Sequence, residues 1–449
     1  MAPNISHARL AAYKALNEVV ASQAFSQVSL RKHLHGVKDE ADRRLATAIV
    51  YGTLKRLRYL EYCLGKLSNR PLESIDPKLA IALMMGLYQA FFMDKIPEYA
   101  IVNDSVNIAK LFVGKSVAPF ANGVLRTALR QKKKLSLESA SFASFLERME
   151  MEYGFSPLAV SVMRQSLTDS QIESYAKAAL EPAQNYLRVN PAKASASELV
   201  IALDNIGIEA EETYVPGVLC ASASANIYTN KLFSSGYYFA QDIASAISTY
   251  ALDPQGKEKI IDLCAAPGGK SFGVMCIAPE AEITAIDISL EKCSMIQFSA
   301  KTLGFSIEAQ KHDAREAWQK WQGKYSKAIC DVPCSGLGAL RRKPEINLRL
   351  DEKHLEALRE LQPQIAYSAY ECLSEGGVML YSTCTLGTAE NDDVVQGLLG
   401  KYPSARLEPI KLPFEMKSRH EEQNDGLLRL ATDKDDSDGF FIAKIMKGR

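Results

Sequence analysis

Apolar positions recur at helical spacing through the first 135 residues. In "ADRRLATAIVYGTLKRLRYLEYCLGKL", Leu45, Ile49, Leu54, Leu57 and Leu60 stand three to five apart, the stripe that a buried helix face presents. "DPKLAIALMMGLYQAFFM" opens with Asp76 as an N-cap and Pro77 in the first turn, where a missing N–H costs nothing. "APFANGVLRTALRQKKK" predicts a further helix carrying Arg126, Arg130, Lys132, Lys133 and Lys134 towards its end, where cations suit the helix dipole. The opening "MAPNISHARLAAYKALNEVV" reads as an amphipathic helix. The pattern predicts an all-α domain of six or seven helices over residues 1–135, followed by a helical linker over 136–180.

The period then changes. Across 181–245, "NYLRVNPAKASASELVIALDNIGIEAEETYVPGVLCA" alternates strand, helix and strand, as a small α/β module would. From about Lys257 strands and helices alternate. The strands are "KIIDLCAA", "AEITAID", "FSIEAQKHD", "KAICDV" and "GGVMLYSTC". This order predicts a parallel, doubly wound sheet with crossover helices over 246–449. "GFFIAKIM" is expected as a last strand with no crossover after it.

Composition narrows the class. A chain of 449 residues with 47% hydrophobic content suits two or three globular domains. No apolar run is long enough to span a membrane, and the N-terminal stretch lacks the apolar core of a signal peptide. A cytoplasmic protein, monomeric and without a membrane partner, is expected. Nine cysteines and six histidines show no CxxC pair and no ligand spacing, so no metal site is expected. Net charge is zero overall, but residues 1–134 hold 21 Lys and Arg against 10 Asp and Glu. That net of +11, balanced by −11 elsewhere, suggests a polyanionic partner for the first domain.

The candidate chemistry lies at strand ends. "IDLCAAPGGKSF" is a strand, a glycine turn and a helix start, in which Gly268 and Gly269 allow close backbone approach to a ligand. Asp287, Asp313 and Asp331 end the next three strands, where ligands bind in such sheets. NAD is one reading, but the turn is not G-x-G-x-x-G. A ligand with one nucleoside and a carboxylate, such as S-adenosylmethionine, fits as well or better. Cys334 follows the fourth strand and Cys384 the fifth. Parallel strands place both at one sheet edge. They are either packing cysteines or a thiol pair for methylation at carbon 5 of a pyrimidine. In that chemistry a thiolate adds to carbon 6 and makes carbon 5 nucleophilic. Asp331 would hold the exocyclic amine of cytosine, Arg341, Arg342 and Lys343 the nucleic-acid backbone, and the target base must be unpaired or flipped out. Lys270 is a candidate for the cation that favours thiol ionisation.

"DLCAAPGGK", "DVPCSGLGALRRKPEI", "YSTCTLGTAEND" and "DGFFIAKI" closely resemble the RNA cytosine-5 methyltransferases of the NOL/NOP2/Sun family. With a helical N-terminal domain similar to NusB, the likeness is to the RsmB (Sun/Fmu) branch and covers nearly the whole chain. It implies a NusB-like RNA-binding domain, a small α/β RNA-binding module and a Rossmann-like methyltransferase domain. The substrate it implies is a cytosine of 16S rRNA, position 967 in the usual rRNA numbering, on naked RNA or an early assembly intermediate. It also implies Cys384 as nucleophile and Cys334 as the thiol that assists release. S-adenosylmethionine would be held by Cys264, Ala265, Ala266, Pro267, Gly268, Gly269, Lys270, Asp287, Asp313 and Asp331. His312 stands where the family usually has glycine. Three rivals stay open on the residues alone: a DNA enzyme attacking with Cys334, a non-catalytic RNA-binding chain, and an NAD enzyme.

Overall fold

The structure is a computed structural model that describes residues 5–137, 141–222, 227–418 and 420–448. The chain divides into two compact units. The first comprises residues 1–161, 168–181 and 340–349; the second comprises 162–167, 182–339 and 350–449.

In the first unit seven helices lie within the predicted all-α region: His7–Ser22, Ser26–Leu34, Glu40–Lys55, Leu57–Ser68, Pro77–Phe92, Glu98–Phe112 and Ala118–Gln131. The fifth is buried almost all round from Leu79 to Leu87, so it is the central helix that the others cover. Asp76 caps it, accepting from the Lys78 and Leu79 amides at 2.8 and 3.2 Å. The apolar stripe read as continuous from Leu45 to Leu60 is interrupted at Arg56, which separates two helices. Its guanidinium donates to the Glu152 carbonyl and lies over the Phe92 ring. Residues expected to form a linker fold onto this unit: helices Phe145–Tyr153 and Asp169–Leu180 belong to it. They carry buried Met149, Tyr153, Ile172 and Tyr175.

The second unit holds two sheets. The smaller comprises β1 (Asn185–Val189), β2 (Ala210–Glu212), β3 (Val218–Ala221) and β4 (Tyr238–Ala240), antiparallel in the order β2-β3-β1-β4. The larger comprises β5 (Lys259–Asp262), β6 (Glu282–Asp287), β7 (Ile307–Lys311), β8 (Tyr325–Asp331), β9 (Leu373–Thr383), β10 (Ala405–Leu407), β11 (Leu427–Leu430) and β12 (Phe440–Lys447). Its order is β10-β12-β9-β8-β5-β6-β7, with β11 also pairing β12. Strands β5 to β9 are parallel, as the alternating pattern predicts. The sheet as a whole is mixed, which corrects the expectation of a wholly parallel one. β12 runs antiparallel to β9, β10 and β11; the connection from β11 to β12 is short, and parallel neighbours need a long crossover.

Candidate active site

The turn after β5 is built by its glycines. Gly268 has φ +108°, and a Cβ there would lie 2.4 Å from the Phe272 ring, so no other residue fits without displacing that ring. Helix Gly269–Ile277 starts immediately after. The Ala265 amide donates to the Ile286 carbonyl at 3.0 Å, which ties the turn to the end of β6 and so to Asp287.

Acids surround this turn. Asp262 is 1% exposed and accepts from Ser271 Oγ at 2.7 Å through Oδ2. Its Oδ1 meets no hydrogen-bond donor among the described residues. Burial pushes its carboxyl up to about 7, against the opposing pull of the Ser271 bond and the Lys270 charge. Burial likewise pushes the Cys264 thiol up, and the charges of Asp262, Asp331 and Asp287 push it further. A partly exposed turn ringed by carboxylates suits a ligand with cationic groups, and Asp262 Oδ1 is an acceptor left for such a ligand.

Asp331, the last residue of β8, is held from two sides. Lys270 Nζ reaches its Oδ2 at 2.6 Å and Ser382 Oγ donates to its Oδ1 at 2.6 Å. Lys270 is therefore bound to an acid rather than to a thiol. Asp287 is 6% exposed, caps the following turn through the Ser289 amide, and has Lys292 Nζ at 3.7 Å. Asp313 folds back on its own turn. Its carboxylate takes a fork of bonds from Arg315 at 2.6–3.1 Å and caps the Arg315 amide, and the Arg315 bonds hold its carboxyl below the usual range.

The two thiols lie beyond β8 and β9, with Cys334 Sγ 3.4 Å from Cys384 Sγ. Two bonds lock the loops that carry them: the Gly338 amide donates to the Cys384 carbonyl at 2.9 Å, and the Gly439 amide to the Gly338 carbonyl at 2.8 Å. A Cβ on Gly338 would sit 1.9 Å from the Gly439 carbonyl oxygen. The glycines of "SGLG" and "DGFF" are thus what lets three motifs distant in sequence pack backbone to backbone. The hydrogen bond with Cys384, together with burial, pushes the Cys334 thiol well above its ordinary range.

Behind the thiols lies a group of buried polar residues that the local sequence pattern does not single out. Glu390 and Asn391 are 2% and 4% exposed and, with Ser335, Gln362, Thr383 and Thr385, form a buried hydrogen-bonded set. A glutamate and an asparagine just after a thiol motif were the available signal; their partners lie up to 55 residues away.

Arg341, Arg342 and Lys343 group with the helical unit, whereas both thiols belong to the other unit. The segment that carries them is anchored there. Glu345, 0% exposed, accepts from the Ser26 amide at 2.9 Å. Asn347 accepts from the Ser156 amide at 2.9 Å, and Arg349 donates to the Ala24 carbonyl while lying over the Phe25 ring. All three basic residues are half-buried. Among the described residues no cluster of three His, Cys, Asp or Glu could hold a metal ion. No helix among them is long and apolar enough to cross a membrane.

Known proteins resemble the chain over nearly its whole length. The family model described as 16S rRNA methyltransferase RsmB/F matches residues 249–446, and the NusB family model matches residues 6–130. A Bacillus subtilis (strain 168) protein named "Probable ribosomal RNA small subunit methyltransferase B" is 30% identical over 97% of this chain and 98% of its own length. The Klebsiella pneumoniae (strain 342) protein "Ribosomal RNA small subunit methyltransferase B" is 28% identical over 98% of each chain. Among solved structures, that of PH0851 shares the fold with a TM-score of 0.82, at 23% identity over 98% of this chain and 99% of its own. A methyltransferase homologue from Pyrococcus horikoshii covers 68% of this chain and 100% of its own, at 25% identity and a TM-score of 0.58. With a NusB domain, a mixed-sheet methyltransferase domain and full-length likeness to these relatives, the chain belongs to the RsmB/F family of 16S rRNA methyltransferases.

Proposed function

We propose that this protein transfers a methyl group from S-adenosylmethionine to carbon 5 of a cytosine in 16S rRNA, at position 967, through a covalent Cys384–cytosine intermediate. The observation that carries the reading is the pair of thiols 3.4 Å apart after adjacent parallel strands, beside an acid fixed by Lys270 and Ser382. Packing alone does not call for two thiols at one strand-end mouth together with a held carboxylate.

The surroundings of each residue support a role for it in this reading. S-adenosylmethionine, the methyl donor of this family, supplies an electrophilic methyl group on a sulfonium. The turn Cys264–Lys270, Asp262 and Asp287 would hold it; Asp313 and Asp331 complete the proposed set. Asp331, pinned at both oxygens, would accept from the exocyclic amine of cytosine and orient the ring. Cys384 would attack carbon 6 as the thiolate, so that a carbon–sulfur bond forms as the ring π-electrons move to carbon 5. After carbon 5 is methylated, a base takes its proton, the π-bond re-forms and the Cys384 sulfur leaves. Cys334, 3.4 Å from the attacking sulfur, would assist that release, the role the family resemblance gives it. The first unit, basic over residues 1–134, would supply electrostatic affinity for RNA, with Arg341, Arg342 and Lys343 part of its surface. The substrate would be naked rRNA or an early assembly intermediate, and the enzyme a monomer.

The test is a trapping experiment with unmodified 16S rRNA and labelled S-adenosylmethionine. Cys384→Ala should abolish methyl transfer while fold and cofactor binding survive. Cys334→Ala should still attack and methylate, leaving RNA bonded to the protein on a denaturing gel. The double variant should show no adduct. An adduct that accumulates with Cys384→Ala and not with Cys334→Ala would reverse the two roles and refute the proposal.

A further inference from the structure

We infer that the dipeptide Glu390–Asn391 is a positioning clamp that sets the spacing of the two thiols, Glu390 holding the Cys334 side and Asn391 the Cys384 side. The inference rests on the cytosine-5 reading above and deepens it.

The hydrogen bonds divide between the two residues. Glu390 Oε2 accepts from the Ser335 amide at 2.8 Å and Gln362 Nε2 at 2.9 Å, and its Oε1 accepts from Ser335 Oγ at 2.5 Å. The same Gln362 nitrogen donates to the Pro333 carbonyl at 2.9 Å. Both neighbours of Cys334 are thereby held, one by Glu390 and the other through Gln362. Asn391 does the equivalent for the other thiol: its Oδ1 accepts from Thr383 Oγ1 at 2.5 Å and its Nδ2 donates to the Thr385 carbonyl at 3.2 Å. Thr383 and Thr385 are the neighbours of Cys384. The halves meet where Ser335 Oγ lies 2.6 Å from Thr385 Oγ1, and Tyr381 anchors the dipeptide by donating to the Glu390 carbonyl at 2.6 Å.

The chemistry explains these residue types. A buried carboxylate is costly unless each oxygen is satisfied, and here two N–H groups and a hydroxyl satisfy it, all from one thiol's surroundings. The Glu390 charge also adds to the upward push on the Cys334 thiol. An asparagine can accept from one flank and donate to the other, which a carboxylate cannot. Because two consecutive residues serve the two thiols, the spacing is transmitted through a single peptide unit. Two thiols that act on one ring in turn, one bonding to carbon 6 and the other assisting its release, need such a fixed separation.

The clamp predicts opposite failures for its halves. The full-length protein is assayed in single turnover with unmodified 16S rRNA and labelled S-adenosylmethionine, with cofactor affinity measured by calorimetry as a control. Glu390→Ala should methylate in the first turnover but release RNA about tenfold or more slowly, giving the same adduct as Cys334→Ala, because buried donors beside Cys334 lose their acceptor. Asn391→Ala should slow methyl transfer itself by about tenfold or more, with no adduct. Glu390→Gln, whose oxygen can still accept both N–H groups while its NH₂ donates to Ser335 Oγ, should restore release. If Glu390→Ala does not fold, Ser335→Ala breaks one clamp bond and should give the adduct in its place. Wild-type release in the folded Glu390 or Ser335 variant, or an adduct with Asn391→Ala, would overturn the clamp. An active wild type with no adduct from Cys334→Ala would instead remove the cytosine-5 reading, and the clamp with it.

Discussion

Replacing Asp262 by asparagine tests whether the acid-ringed turn after β5 has the electrostatics assigned to it. Asp262 is 1% exposed, and its carboxyl is pushed from an ordinary 3.8 up to about 7 by burial. The proton therefore binds more tightly in the folded protein than in the unfolded chain. Stability from this group is complete below pH 3.8, falls as pH rises through the window to about 7, and is then lost. A shift of that size corresponds to about 4 kcal/mol overall, of which about 2–3 kcal/mol falls between about pH 5 and pH 8. For a unit of this size, that is roughly 5–10 °C in Tm. Asparagine keeps an acceptor for Ser271 Oγ but cannot titrate. The assay is calorimetric melting of wild type and Asp262→Asn at pH steps from about 5 to 8, reading the transition that S-adenosylmethionine raises, since a ligand stabilises the unit it binds. The variant starts lower, because its NH₂ is buried without an acceptor at a cost of about 1–3 kcal/mol. The difference in Tm between the two proteins should then shift steadily in the variant's favour as pH rises. A difference that stays constant across the range would mean that Asp262 does not titrate there and that its burial does not raise its carboxyl.

Three further outcomes are expected. Asp287→Ala should weaken S-adenosylmethionine binding roughly 10- to 150-fold by calorimetry, the loss of a hydrogen bond to a charged acceptor, and unchanged affinity would remove this residue from the site. Replacing the exposed Arg126, Arg130, Lys133 and Lys134 together by glutamine should weaken 16S rRNA binding and flatten its dependence on log salt concentration, by up to about 0.7–0.9 for each phosphate no longer neutralised; an unchanged slope would leave these charges as solvation only. Glu345→Ala should destabilise the helical unit by about 1–3 kcal/mol in a denaturant melt, because the Ser26 amide loses its buried acceptor, and an unaltered melt would show that the segment 340–349 is not anchored as described.

Local pattern was enough to specify the elements and the edge where the chemistry sits. The helical stripe of the first unit, the Asp76 cap, the glycine turn at Gly268 and the strand ends at Asp287 and Asp331 were all legible, because each depends on residues within a few positions of one another. Cys334 and Cys384 could be placed at one mouth because parallel strands end on the same edge. Long-range packing set what those residues face. Asp313 turned back onto Arg315, and Lys270 paired with Asp331 across 61 residues. The antiparallel seat of β12 mixed the sheet, and segment 340–349 left the unit of its flanking residues for the helical one, held there by Glu345 across 319 residues. The clamp at Glu390 and Asn391 was invisible for the same reason. Periodicity and turn chemistry are short-range signals, whereas a buried hydrogen bond between distant residues leaves no periodic trace in the chain and comes into being only when packing excludes water from both partners.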